Sequence, residues 1–297
     1  MTLCLLCDKE KERFVDNYIC VDCAKESGLQ NPESRRSLYS IAIGLFRSAS
    51  RANYDQNGKA YTITGKDDDE KMRKHQQVLV YNPLASLHNT SMFLYQSRMF
   101  EKIQSLDGDI VECGVGIGQT LIGWLSLVWS YGQRRRVWGF DSFEGFPEST
   151  SEDKSYRDAQ KGDFWALKGV IDGTNVTPLD IVVDSISNYG LTKEWLSSIL
   201  TLIQGWFKDS LTHYDGQIAL LHIDADLYQS YRNVLEILGP KVVPGGLILF
   251  DEYLGTMEFF NFPGAKKAVD EYFAKTPGYS CVQRDPYRGK YYVRKMV

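Results

Sequence analysis

From Gly108 onward, short apolar runs alternate with stretches of helical periodicity, and nearly every run is closed by a polar residue. Residues 110–113, 136–141, 219–224, 247–251 and 291–293 read as strands. Residues 120–131, 228–238 and 265–274 carry apolar side chains at helical spacing. A chain with this rhythm has few options. Strands that alternate with helices build a mostly parallel sheet covered on both faces, a doubly wound, Rossmann-like α/β domain. Ligands of such sheets sit beyond the carboxyl ends of the strands, so the polar residues that end each strand are the functional candidates.

The first strand runs into Glu112-Cys113-Gly114-Val115-Gly116-Ile117-Gly118-Gln119. Glycines at this point let the backbone turn sharply and approach a ligand closely. A dinucleotide fingerprint is G-x-G-x-x-G, and Gln119 stands where it wants its third glycine. Here the spacing is G-x-G-x-G, with acidic Glu112 before the first glycine. That pattern suits S-adenosylmethionine, which has no pyrophosphate to cradle. It counts against an NAD-dependent oxidoreductase. Taken alone, the loop is also compatible with a tight turn that binds nothing. Asp141 ends the second strand, 23 residues after Gly118, where a carboxylate can accept from both ribose hydroxyls of a nucleoside.

Two later strands end in Ile223-Asp224-Ala225-Asp226 and Phe250-Asp251-Glu252. If they are neighbours, Asp224 and Asp251 lie about 5 Å apart across the sheet edge. Carboxylates so crowded repel unless a hard divalent cation bridges them, and Mg2+ is the obvious candidate. A shared proton or a capped helix terminus is the competing explanation. His222, two residues before Asp224, reads as a core histidine rather than a ligand.

Four of six cysteines fall in the first 23 residues: Cys4 and Cys7, then Cys20 and Cys23. Two C-x2-C turns can close a tetrahedral thiolate shell around structural Zn2+. Disulfides fit poorly in a chain expected to be cytoplasmic. Residues 1–30 are therefore expected to form a zinc-ribbon-like segment, 31–88 a helical linker or lid region, and 89–297 the α/β domain. The formal net charge of −4 argues against a nucleic-acid partner. No apolar run reaches the roughly 20 residues of a membrane helix, and the N-terminus does not read as a secretory signal.

With these residues laid out, the chain resembles the macrocin O-methyltransferase family. The resemblance rests on residues 108–116, Phe140-Asp141-Ser142-Phe143-Glu144-Gly145-Phe146-Pro147, Gly205-Trp206-Phe207-Lys208-Asp209-Ser210-Leu211, Ile223-Asp224-Ala225-Asp226-Leu227-Tyr228, and Pro244-Gly245-Gly246 ahead of Phe250-Asp251-Glu252-Tyr253. It runs from about Met92 to the C-terminus. It implies methylation of a sugar or glycoside hydroxyl, dependence on Mg2+, and a homo-oligomer. By position it implies that Glu112 and Gly114 border the methionine part of the cofactor, that Gly116 and Gly118 also bind the cofactor, and that Asp141 and Ser142 face the ribose. Gln204, Gly205 and Trp206 would lie toward the adenine. Asp224, Asp251 and Glu252 would hold the metal, and Asp226 would be the general base. The family usually has two aspartates where this chain has Asp251-Glu252.

Methylation of a catechol or another vicinal diol would use the same metal logic. A non-enzymatic role centred on the N-terminal cysteines is the alternative outside enzymology.

Overall fold

The computed structural model describes residues 87–296, apart from 156, 164–178, 181, 184–185, 187–190 and 255–261, and four two-residue strands near the N-terminus. The chain forms two compact units, Met1–Leu79 and Val80–Val297. In the first, Thr2–Leu3 pairs antiparallel with Glu10–Lys11, and Asn53–Tyr54 with Ala60–Tyr61. Cys4 and Cys7 fall between the two strands of the former pair in sequence. Cys4, Cys7, Cys20 and Cys23 themselves, and most of the helical linker or lid region expected over 31–88, lie outside the described residues.

The second unit holds a seven-stranded sheet. Its strands are β1 (Asp109–Cys113), β2 (Val137–Asp141), β3 (Leu200–Gln204), β4 (Ile218–Ile223), β5 (Val242–Phe250), β6 (Gln283–Arg284) and β7 (Tyr291–Arg294). The spatial order is β6-β7-β5-β4-β1-β2-β3. Pairings from β5 through β3 are parallel, and β7 joins β5 antiparallel. The chain winds outward from β1 to β3, then returns to lay β4 against the other side of β1. The strand order therefore reverses between β1 and β4, the place where doubly wound sheets open a ligand crevice.

The helices are α1 (Leu87–Glu101), α2 (Gln119–Ser130), α3 (Lys193–Ile199), the single turn α4 (Phe207–Ser210), α5 (Tyr228–Leu238) and α6 (Pro263–Phe273). Strand alternation splits the core into two layers. Ile110, Leu220, Leu247 and Leu249 pack with Phe100, Leu121, Trp124 and Leu125 of α1 and α2. Val111, Leu221, Ile223, Ile248 and Phe250 pack with Tyr231, Leu235, Ala265 and Val269 of α5 and α6. Parity then fixes the polar residues. Glu112, His222, Asp224 and Asp251 continue the first set, on the α1/α2 face at the carboxyl end of the sheet. None of the described helices is long and apolar enough to cross a membrane.

Candidate active site

The glycine loop leaves β1 at the point where β4 ends. Asp224 N–H donates to the Cys113 carbonyl at 2.9 Å, which draws the two backbones together. Gly114 has φ 91°, and a Cβ there would overlap the Asp224 carbonyl oxygen. Glycine is therefore required twice, for conformation and for space. Asp141, at the end of β2, fixes the rest of the loop. Its Oδ2 accepts from Val115 N–H at 2.8 Å and Gly116 N–H at 2.9 Å, and its Oδ1 accepts from Phe143 N–H at 2.8 Å. Burial pushes this carboxyl up, and the three amides counter that shift.

Ser142 Oγ donates to the Gly145 carbonyl at 2.8 Å and accepts from Glu144 N–H at 3.1 Å. Gln204 Nε2 donates to the Ser142 carbonyl at 3.3 Å, and Gly205 N–H to the Asp141 carbonyl at 2.9 Å. The ends of β2 and β3 are thus stitched into one wall. A cavity of about 890 Å3 opens above it, toward the upper end of the roughly 300–1,000 Å3 usual for small-molecule sites. Gly114, Gly116, Asp141, Ser142, Gly205 and Trp206 line it together with Asp224, Asp226, Asp251 and Glu252. Three predicted residues are not in the lining. Glu112 is fully buried in β1, Gly118 starts α2 against Val182, and Gln204 serves the β2–β3 wall.

The carboxylates are not equivalent. β4 and β5 are neighbours, and Asp251 N–H donates to the Ile223 carbonyl at 3.0 Å. This brings Asp224 and Asp251 side by side. Asp224 is raised to about 7 by burial and by the charge of Asp251. Burial alone would also raise Asp251. Lys290, with Nζ 2.7 Å from Asp251 Oδ2, overrides it and holds that carboxyl at about 2. Asp226 is pushed well up by burial, then by Asp224 and Asp251. Its backbone is left-handed, φ 58°, and Leu227 N–H closes a 2.6 Å bond to the Ala225 carbonyl around it. This is a strained γ-turn that aims one carboxyl into the cavity.

Glu252 plays a different part. Tyr231 hydroxyl lies 2.6 Å from its Oε2, and Asp226 N–H reaches the same oxygen at 3.4 Å. It braces the Asp226 turn, and burial and the neighbouring aspartates push it well up. The donor atoms that converge belong to His222, Asp224 and Asp251, all within 4.8 Å of one another. The two adjacent carboxylates suit a divalent cation, so the residues fit the expected ion, and Glu252 is hydrogen-bonded with both Asp224 and Asp251. Asp153 was not predicted. Its Oδ1 accepts from Tyr228 N–H at 2.7 Å, anchoring the start of α5 two residues past Asp226.

The macrocin O-methyltransferase family model matches residues 96–276. The chain belongs to that family. Its relatives include the 8-demethyl-8-(2,3-dimethoxy-alpha-L-rhamnosyl)-tetracenomycin-C 4'-O-methyltransferase of Streptomyces olivaceus, 35% identical over 148 residues, which are 49% of this chain and 53% of that protein. The mycinamicin III 3''-O-methyltransferase of Micromonospora griseorubida is 33% identical over 56% of this chain and 60% of its own length. The aligned stretch therefore spans between half and two thirds of each relative. Among solved structures, the O-methyltransferase NovP superposes with a TM-score of 0.55 at 26% identity, covering 75% of this chain and 89% of NovP. The calicheamicin methyltransferase CalS11 superposes at 0.57 and 21% identity, over 81% and 99% of the two chains, and shares the fold. The sheet is that of a class I, Rossmann-like methyltransferase. The glycine loop, Asp141 and the Asp224–Asp226–Asp251 group all line this one cavity.

Proposed function

We propose that this chain transfers a methyl group from S-adenosylmethionine to a hydroxyl of a sugar or sugar-bearing natural product, with a divalent cation in the acidic cluster and Asp226 as general base. The observation that carries the reading is the strained turn that presents Asp226 to a cavity shared by the glycine loop and the paired aspartates. The sugar specificity draws on the relatives named for rhamnosyl-tetracenomycin and mycinamicin methylation.

When bound, the cofactor supplies an electrophilic methyl and the cation a Lewis acid for the acceptor oxygens. Asp226 takes the hydroxyl proton as the oxygen attacks. Its carboxyl, carried on a left-handed turn in the cavity wall, is placed to accept that proton. Asp224 and Asp251 hold the cation. Glu252 and Tyr231 keep the Asp226 turn in place. The Gly114 approach and the Asp141 clamp shape the cofactor end. Phe262, packed edge-on against Phe146 with centroids 6.1 Å apart, lines the acceptor side.

We also assign the N-terminal cysteines to a structural Zn2+ and expect a homo-oligomer. The test is transfer of labelled methyl from S-adenosylmethionine to glycosides with free vicinal hydroxyls, with Mg2+ and with chelator. Metal-dependent labelling of a sugar hydroxyl is expected. Labelling confined to catechols would overturn the sugar assignment.

A further inference from the structure

We propose that Gln229 and Asn233, one turn apart on α5, read the adenine of the cofactor, with Gln229 Oε1 accepting from its exocyclic amino group and Asn233 Nδ2 donating to a ring nitrogen. The inference deepens the cofactor part of the proposed function and rests on it.

The strand order lays the cofactor out. From the acceptor side it runs β5-β4-β1-β2-β3. The reacting hydroxyl belongs at the ends of β4 and β5, beside Asp226, so the sulfonium methyl faces that point. The glycine loop follows β1, and Asp141, the carboxylate placed for the ribose, ends β2. Adenine and the sulfonium branch from opposite sides of the ribose, so the base extends toward the end of β3. There Gly205, Trp206 and Phe207 line the cavity.

The short α4 that begins at Phe207 packs against α5, and α5 has three sides. Tyr231, Val234, Leu235 and Leu238 are buried in the core. Tyr228 and Arg232 turn to Glu271 of α6. Gln229, Ser230 and Asn233 remain, and all three line the cavity. Ser230 is buried, whereas Gln229 is exposed and Asn233 half-buried, which puts the two carboxamides at the cavity rim. Side chains four apart on a helix meet, and here Gln229 Nε2 donates to Asn233 Oδ1 at 3.0 Å. That bond sets a free acceptor, Gln229 Oε1, beside a free donor, Asn233 Nδ2. Among the described residues, neither of these two atoms is taken by another group. Adenine presents the complement, an amino donor next to a ring-nitrogen acceptor, and carboxamides are the side chains that read it.

Calorimetric titration of the full-length chain with S-adenosylhomocysteine, and with its purine analogue that lacks only the exocyclic amino group, tests this without any assay of turnover. The wild-type chain should bind S-adenosylhomocysteine about 3- to 10-fold more tightly than the analogue, the worth of one hydrogen bond. Gln229→Leu should weaken S-adenosylhomocysteine by that factor and leave the analogue unchanged, so the preference disappears. Gln229→Glu, which keeps an acceptor oxygen, should retain the preference. Asn233→Ala should weaken both ligands alike, because both carry the ring nitrogens. Melting curves check that each variant is folded, and Gln229→Ala repeats the measurement if the leucine variant misfolds. Equal wild-type affinities for the two ligands, or a preference that survives in folded Gln229→Leu, overturn the proposal and leave the cofactor reading standing. Binding of neither ligand by the folded wild-type chain overturns both.

Discussion

The site rests on a few residues whose local chemistry is specific enough to test singly. Asp226→Ala should cost about 10^2- to 10^4-fold in turnover, the usual contribution of a positioned base. The same variant should bind S-adenosylhomocysteine unchanged, measured by calorimetry. Full activity would remove Asp226 from its role. Gly114→Ala should behave differently. A Cβ at φ 91° meets the Asp224 backbone, so the substitution costs at least about 1–2 kcal/mol from strain alone. It should abolish cofactor binding while the far end of the sheet stays folded, which thermal melts and titration would read together.

At the level of elements, Asp153 ties the segment after β2 to the first turn of α5. Asp153→Ala should lower stability by about 0.5–2 kcal/mol, the range for losing a cap. It should also lower turnover more than cofactor affinity, since the turn carrying Asp226 precedes that helix. Melting curves and a kcat-against-KM comparison check both. Most elements were legible in the sequence because their periodicity is clean. Residues 110–113, 136–141 and 219–224 fall within one residue of the observed strands, and α5 spans the expected residues. β3 was not, for a physical reason. Leu200–Gln204 follows α3 without a turn, so no break in the sequence marks where it starts. β6 has only two residues, too few for any alternation to register. The acidic ends of β4 and β5 stood out as site residues, but which of them converge depends on strand parity and on Lys290 from the β6–β7 hairpin. Pairing so distant in sequence leaves no local signature. His222, two residues before Asp224, reads as a core histidine, and the structure buries it beside Glu112, with Nδ1 3.8 Å from Oε2.

For the whole molecule, the crowded carboxylates predict how stability follows pH. Unfolded aspartate and glutamate titrate near about 4, whereas folded Asp224 titrates at about 7 and Asp226 and Glu252 are also raised. Between these values the folded chain holds more protons than the unfolded one, so stability falls as pH rises. Asp251 has the opposite sign. Held at about 2, its contribution is complete above about 4 and is lost as pH falls toward 2. Metal-free protein should thus melt at a lower temperature at pH 8 than at pH 5. Added divalent cation should raise the midpoint more at pH 8, because it replaces the protons the cluster otherwise needs. A midpoint that rises from pH 5 to 8 without metal would contradict this electrostatic account. The central claim, that the cavity between the glycine loop and the aspartates is built for S-adenosylmethionine, is tested most directly by calorimetric titration of the full-length, metal-stripped chain with S-adenosylhomocysteine, with and without divalent cation. One-to-one binding at micromolar affinity, lost in Gly114→Ala, is the predicted result. No binding by a folded wild-type chain under either condition would contradict it.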